Sequence, residues 1–186
     1  RLNLELESVY NMKQLFYTLL LLMFFSCDKE DAWGCIQTAG APVVQVLNVE
    51  AFERILVNRD IKLVVKQGHD YKVEIQTGEN LLSDIEVVVV DNELQLSDRN
   101  SCNYVRDFGL TKMIVTTPAL KGIRSSTQYL TSSEGVLNFE SLALVSENFN
   151  SNYLSSGDFK LTIETQSLSV IANNLSSFNI SGAVET

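Results

Sequence analysis

Past residue 42 the chain alternates. Tyr71, Val73 and Ile75 are apolar, while Lys72, Glu74 and Gln76 between them are polar. A period of two places every other side chain on one face of a β-strand. The pattern recurs up to Pro118, in Val43–Val49, Phe52–Val57, Ile61–Lys66, Tyr71–Gln76, Ile85–Val90, Leu94–Ser97 and Lys112–Thr117. Gln67–Asp70 is predicted to join the third and fourth strands as a hairpin, and Asp91-Asn92 the fifth and sixth. Pro118 stops the last strand. No useful length of helical period follows residue 31.

From Leu120 the texture changes. Residues 125–186 hold 14 Ser, 5 Thr and 7 Asn, which is 26 of 62 positions. Such a composition suggests disorder, but apolar residues still alternate at Leu142/Leu144, Phe159/Leu161/Ile163, Leu168/Val170 and Phe178/Ile180. A degenerate repeat runs through them. Leu120–Ile123, Leu142–Val145 and Leu168–Ile171 align, as do the glycines at 135, 157 and 182. Leucine steps of 22 and 26 and glycine steps of 22 and 25 drift together. A period of this size predicts a β-solenoid, with apolar side chains inward and Ser, Asn and Gly at the corners. The fold class expected is all-β, a parallel β-helix (β-solenoid) with an N-terminal strand-rich, hairpin-containing region.

The N-terminus has a different pattern. Lys13 is followed by Leu15–Phe25, 11 residues in which only Thr18 is clearly polar, then Ser26, Cys27 and the acidic Asp28–Asp31. This is the n-region, h-region and small-residue site of a secretory signal. A bilayer needs about 20 apolar residues, so the run is too short to span one. The alternative, a buried core helix, explains neither the abrupt stop nor the Asp-Lys-Glu-Asp that follows. Ser26-Cys27 resembles the lipobox of bacterial lipoproteins, with Phe24 and Phe25 departing from its usual residues. The resemblance implies a lipidated Cys27 as the mature N-terminus. Lys29-Glu30-Asp31 resembles a surface-export signal, whereas Asp28 alone resembles an inner-membrane retention signal; the longer match favours export. Residues 1–11, which start with Arg and precede Met12, look like translated upstream sequence. The expected layout is 1–11 upstream, 12–26 signal, 27–42 lipidated tether and 43–186 solenoid. Because residues 182–186 stop at a repeat corner, the solenoid is expected to be truncated there.

Charge and cysteine content narrow the chemistry. The net charge is −9 and no Lys/Arg cluster follows the signal, which argues against nucleic acid as a partner. With Cys27 lipidated, Cys35 and Cys102 remain. An exported setting oxidises thiols, and their turn-like surroundings favour a disulfide over two buried free thiols. One histidine and no Cys-x-x-Cys argue against zinc, and no metal or cofactor is expected.

The order of motifs carries a further resemblance. Cys35, Phe52–Val57, Ile61–Gly68, Glu79–Leu82, Asn92–Leu96, Asn100–Tyr104 with Arg106, and Met113–Pro118 precede the Ser/Gly-rich repeats. This path is similar to the putative auto-transporter adhesin head GIN domain of bacterial lipoproteins, from about Cys35 to the end. The departure is at the corners, where Ser125-Ser126, Ser133-Glu134 and Ser156-Gly157 replace the family's Gly-Ser-Gly. The resemblance implies a right-handed β-helix, an exported location and an adhesin-like role. It carries over no catalytic residues.

Little in the sequence suggests catalysis. His69 sits in the Gly68–Asp70 turn, where a solvated residue is a better reading than a general base. Asp84, Glu86, Asp91 and Glu93 are the densest acids. With 84 and 86 on one strand face they would suit Ca²⁺ or glycosidase chemistry, against a plainer solvated face. Trp33, Tyr104 and Tyr129 are candidates for stacking on sugars, or for local packing. The expected function is therefore a lipid-anchored, non-enzymatic surface protein of the outer membrane, adhesin-like or envelope-structural. Its partners would be the membrane through its anchor, and surface glycans or other envelope proteins. A periplasm-facing location is the alternative placement. A polysaccharide-binding or polysaccharide-cleaving β-helix is the alternative function.

Overall fold

The computed structural model describes Gln14 and residues 35–100, 102–146, 156–173 and 175–185. The chain divides into two units, Arg1–Trp33 and Gly34–Thr186, and the second carries every strand discussed below. Apart from Gln14, the signal segment lies outside the described residues, as do Cys27 and Trp33.

Unit 2 is all-β. Its strands are β1 (Pro42–Asn48), β2 (Arg54–Val57), β3 (Ile61–Gln67), β4 (Lys72–Gly78), β5 (Ile85–Val90), β6 (Glu93–Asp98), β7 (Thr111–Thr117), β8 (Gly122–Ser125), β9 (Thr131–Ser146), β10 (Phe159–Ala172) and β11 (Phe178–Val184). One 3₁₀ turn, Glu79–Asp84, separates β4 from β5. All eleven strands join one sheet in the order β1-β4-β7-β3-β9-β8-β2-β6-β5, with β10 beside β9 and β11 beside β10.

The sheet curls because β9 has to bend. Its Thr131–Glu134 lies parallel to β3, and its Ala143–Val145 lies parallel to β8. The bend is visible in the burial pattern. Leu137, Phe139, Leu142 and Leu144 are buried, but Glu140 and Ser141 are both exposed, so the period of two slips by one. Gln166 and Ser167 repeat that slip in β10, and Ser167 pairs with Ser141. Each corner thus sits on the corner before it. Between corners the ladders are parallel and stacked: Ile123 opposite Leu144 opposite Val170, and Thr131 opposite Phe159 opposite Phe178.

The core is what alternation predicts. Ile61, Leu63 and Val65 of β3, Met113 and Val115 of β7, and Leu137, Leu144, Phe159, Leu161 and Ile163 of β9 and β10 are all buried. Phe159 and Phe178 stack at 4.8 Å between centroids along the axis. Removing about 3–5 kcal/mol worth of packing per ring or branched side chain would open a cavity in this column. Buried Ser125, Ser126, Thr127 and Thr131 fill the turn between β8 and β9. Gly157 lets the next coil close on this turn, since a Cβ there would collide with the carbonyl oxygens of Thr127 and Tyr129.

Two expectations are corrected. Ile61–Lys66 and Tyr71–Gln76 are strands, but they do not form a hairpin. β7 lies between them, parallel to β3 and antiparallel to β4. The connection instead passes over the end of β7, where Gly68 N–H donates to the Thr117 carbonyl at 3.1 Å. Alternation reports which face a side chain takes and says nothing about which strand is the neighbour. The repeat register is the second correction. The leucine step of 26 is reproduced by Leu142 opposite Leu168, but Ile123 opposite Leu144 is a step of 21, one less than the sequence alignment gave. The glycines do not stack: Gly135 lies in β9, Gly157 before β10 and Gly182 in β11 opposite Ile163.

The β5–β6 hairpin is as expected. Asp91 and Asn92 have φ of 50° and 61°, the left-handed pair of a tight two-residue turn.

Candidate functional site

Between β6 and β7, within residues 99–110, the described residues form no regular structure but are heavily braced. Arg106 is the centre of this segment. Its guanidinium donates to the carbonyls of Gln37 at 3.1 Å, Asn100 at 2.9 Å and Cys102 at 2.8 Å. Asn103 Oδ1 accepts from the Arg106 amide at 2.8 Å, and its Nδ2 donates to the Arg106 carbonyl at 2.6 Å. A disulfide joins Cys35 to Cys102, with Cα atoms 4.4 Å apart. The Tyr104 amide donates to the Cys35 carbonyl at 2.8 Å. Loop and N-terminal segment are therefore one stitched unit.

Asp98, at the end of β6, ties the loop to the sheet. Its carboxylate accepts from the Asn100 amide at 2.9 Å, Asn100 Nδ2 at 2.8 Å and Thr111 Oγ1 at 2.6 Å. Thr77 of β4 meets the same Thr111 hydroxyl at 3.1 Å. Charge-assisted bonds of this kind hold a carboxylate firmly in place.

A cleft of about 260 Å³ opens between this loop and the β2–β3 and β8–β9 turns. Asp98, Asn103, Asp107 and Phe108 line one wall; Asp60 and Gln128 line the other. Gln128 Nε2 donates to Asp60 Oδ1 at 2.6 Å, and Asp60 takes the left-handed φ of 63°. Beneath them Tyr129 packs against Gly109, whose φ is +67° and where any Cβ would meet the tyrosine ring. Lys62 lies 5.5 Å from the centre of that ring. Burial, then the charge of Asp60, push the Tyr129 phenol above its usual value, offset in part by a hydrogen bond with Gln128. Phe108 is 72% exposed and Tyr104 81% exposed, on a loop that is otherwise tied down.

The residues singled out in the sequence are dispersed. His69 is exposed in its turn, as the plainer reading held. Asp84 and Glu86 do not share a strand face: Asp84 ends the 3₁₀ turn and β5 begins at Ile85. Glu86 pairs with Arg99 at 2.5 Å, and Glu93 lies 3.6 Å from Arg54. Among the described residues, no group of three or more His, Cys, Asp or Glu is placed to hold a metal ion. Tyr104 and Tyr129 fall on and under the braced loop, whereas Asp60, Asp107, Phe108 and Gln128 were not foreseen. The available signal was a stretch without strand alternation between two strands, bearing Asn100, Asn103 and Asp107 beside Tyr104 and Phe108, which marks a functional loop more than a linker.

A family profile described as "putative auto-transporter adhesin, head GIN domain" matches residues 51–186. The chain belongs to that family. The matched span of this GIN domain runs from just before β2 through β11 and so includes the cleft. No functionally curated protein matches it. Crystal structures similar to this GIN domain include three putative adhesins. A putative adhesin from Bacteroides fragilis is 20% identical, with TM-score 0.65, over 76% of this chain and 63% of that one. One from Parabacteroides merdae is 16% identical, with TM-score 0.58, over 77% and 58%. One from Parabacteroides distasonis is 12% identical, with TM-score 0.53, over 79% and 68%. At these identities the likeness establishes the fold. The GIN domain spans less than two thirds of the length of the first two.

Proposed function

We propose that this GIN domain is the exported, lipid-anchored part of a bacterial surface protein, a right-handed parallel β-helix that binds and does not catalyse. The observation that supports it is the parallel stack β8–β9–β10–β11, which has the layered pairing of a solenoid. A family of adhesin-like proteins is the context. Cys27 is the lipidation site, residues 12–26 the signal and 28–42 the tether. The outer membrane is the location, with the domain facing outward. Envelope proteins and surface glycans are the partner classes. A glycan-cleaving role draws no support from Glu86, whose carboxylate is engaged by Arg99.

Protease treatment of intact cells, with palmitate labelling of the wild type and Cys27→Ala, tests the reading. Label on the wild type alone, and release of the domain by external protease, are expected. Equal labelling of both proteins would remove the anchor, and full protection from protease would turn the domain to the periplasm.

A further inference from the structure

We propose that the cleft beside residues 99–110 binds one neutral pyranose unit of a glycan, with Phe108 as the stacking platform. This rests on the surface-binding reading above and gives it a site and a ligand class. The first observation is the placement of Phe108. Its ring is 72% exposed, it lines the cleft, and the loop that carries it is braced. The disulfide, the three carbonyls on Arg106 and the Asn103 bonds have already ordered that loop. A ligand therefore meets a preformed surface and bears little of the ordering cost.

Charge selects the ligand class. Asp60, Asp98 and Asp107 line the cleft against one cation, Arg106, so its net charge is negative and phosphates, sulfates and uronic acids are disfavoured. The guanidinium of Arg106 is directed to the backbone carbonyls of Gln37, Asn100 and Cys102 and is not presented as an anion clamp. A cation is poorly served too. Asp98 accepts three hydrogen bonds and Asp60 is held by Gln128, which leaves Asp107 as a single anchor at the solvent edge. Asp107 and the lone pairs of Asp60 not taken by Gln128 can still accept from hydroxyl groups, and beside an exposed aromatic face they suit a ring with hydroxyl donors on its rim and C–H groups on its flat side. A volume of about 260 Å³ lies under the roughly 300–1,000 Å³ of drug-sized sites, which fits one sugar ring.

The test uses the full chain on an array of neutral glycans ending in glucose, galactose, mannose or N-acetylglucosamine, with sulfated and sialylated glycans and an oligolysine peptide alongside. Retention on at least one neutral terminus is expected. Phe108→Ala should weaken it about tenfold or more, Phe108→Tyr should largely restore it, and Asp107→Ala should weaken it several-fold. Thermal melts of the variants should match the wild type, because both side chains are exposed. Should Phe108→Ala melt early, Phe108→Tyr and Asp107→Ala decide. Silence on all neutral glycans, preference for sulfated glycans or oligolysine, or wild-type affinity in Phe108→Ala would overturn the assignment. An array result and a protease-shaving result are independent: a silent array with a domain released from cells sinks the cleft assignment alone.

Discussion

Tyr129 links the cleft to the stability of the fold. Its hydroxyl is displaced upward from the usual tyrosine value near 10.0, first by burial and then by the negative charge of Asp60. A raised value means that the folded chain holds the proton more tightly than the unfolded chain. Below pH 10 both states are protonated and the contribution is complete; above it the unfolded chain ionises first and the contribution drains away. Urea melts at pH 9 and pH 11 should therefore show a steeper alkaline loss for the wild type than for Tyr129→Phe. Equal losses would mean that the phenol is solvated in the folded state. Glu134 is displaced the other way, downward, by its hydrogen bond with Lys66, and it lies at the surface where such a pair contributes little.

Strands were legible in the sequence because their period is local, and their neighbours were not. β3 and β4 fall where alternation put them, yet β7, some forty residues further along, lies between them. Ile61, Leu63 and Val65 would be buried in either arrangement, so their pattern could not choose. The β5–β6 hairpin was legible for a chemical reason: Asp91-Asn92 tolerates the left-handed conformation that the turn imposes. That turn carries a prediction. Glycine adopts φ near +60° without the Cβ cost of about 1–2 kcal/mol, a gain offset in part by its greater freedom in the unfolded chain, so Asn92→Gly should raise stability by about 0.5 kcal/mol, read as a shifted urea midpoint at unchanged slope. A loss of stability would show that the Asn92 side chain holds the turn by a contact of its own. The cleft was less legible than the strands, because its walls come from three connections far apart in sequence. Asp60, Asp107 and Gln128 meet only once β2, β7 and β8 are stacked.

The whole domain depends on how its first residues are fastened. Cys35–Ala41 forms no strand, yet Gln37 Nε2 donates to the Asn80 carbonyl at 2.5 Å, Asn80 Nδ2 to the Thr38 carbonyl at 3.0 Å, and the Glu79 amide to the Ala41 carbonyl at 2.9 Å. The same segment accepts from Arg106 and Tyr104 of the cleft loop. The Cys35–Cys102 bond closes this arrangement across a separation of 67 residues. Closing a loop of that order restricts the unfolded chain by about 4 kcal/mol on chain-entropy grounds. Of a total that is typically about 5–15 kcal/mol, this is a large share, and it is available only in an oxidising compartment. Cys35→Ser with Cys102→Ser should lower the unfolding free energy by about 4 kcal/mol. Limited proteolysis of that variant should cut first within 99–110, since Arg106 and Asn103 would then hold the loop without its covalent tie. An unfolding free energy within about 1 kcal/mol of the wild type would show that the hydrogen-bonded frame, and not the bond, sets the stability of this end of the sheet. Cutting elsewhere first would show that the cleft loop is not what the bond restrains.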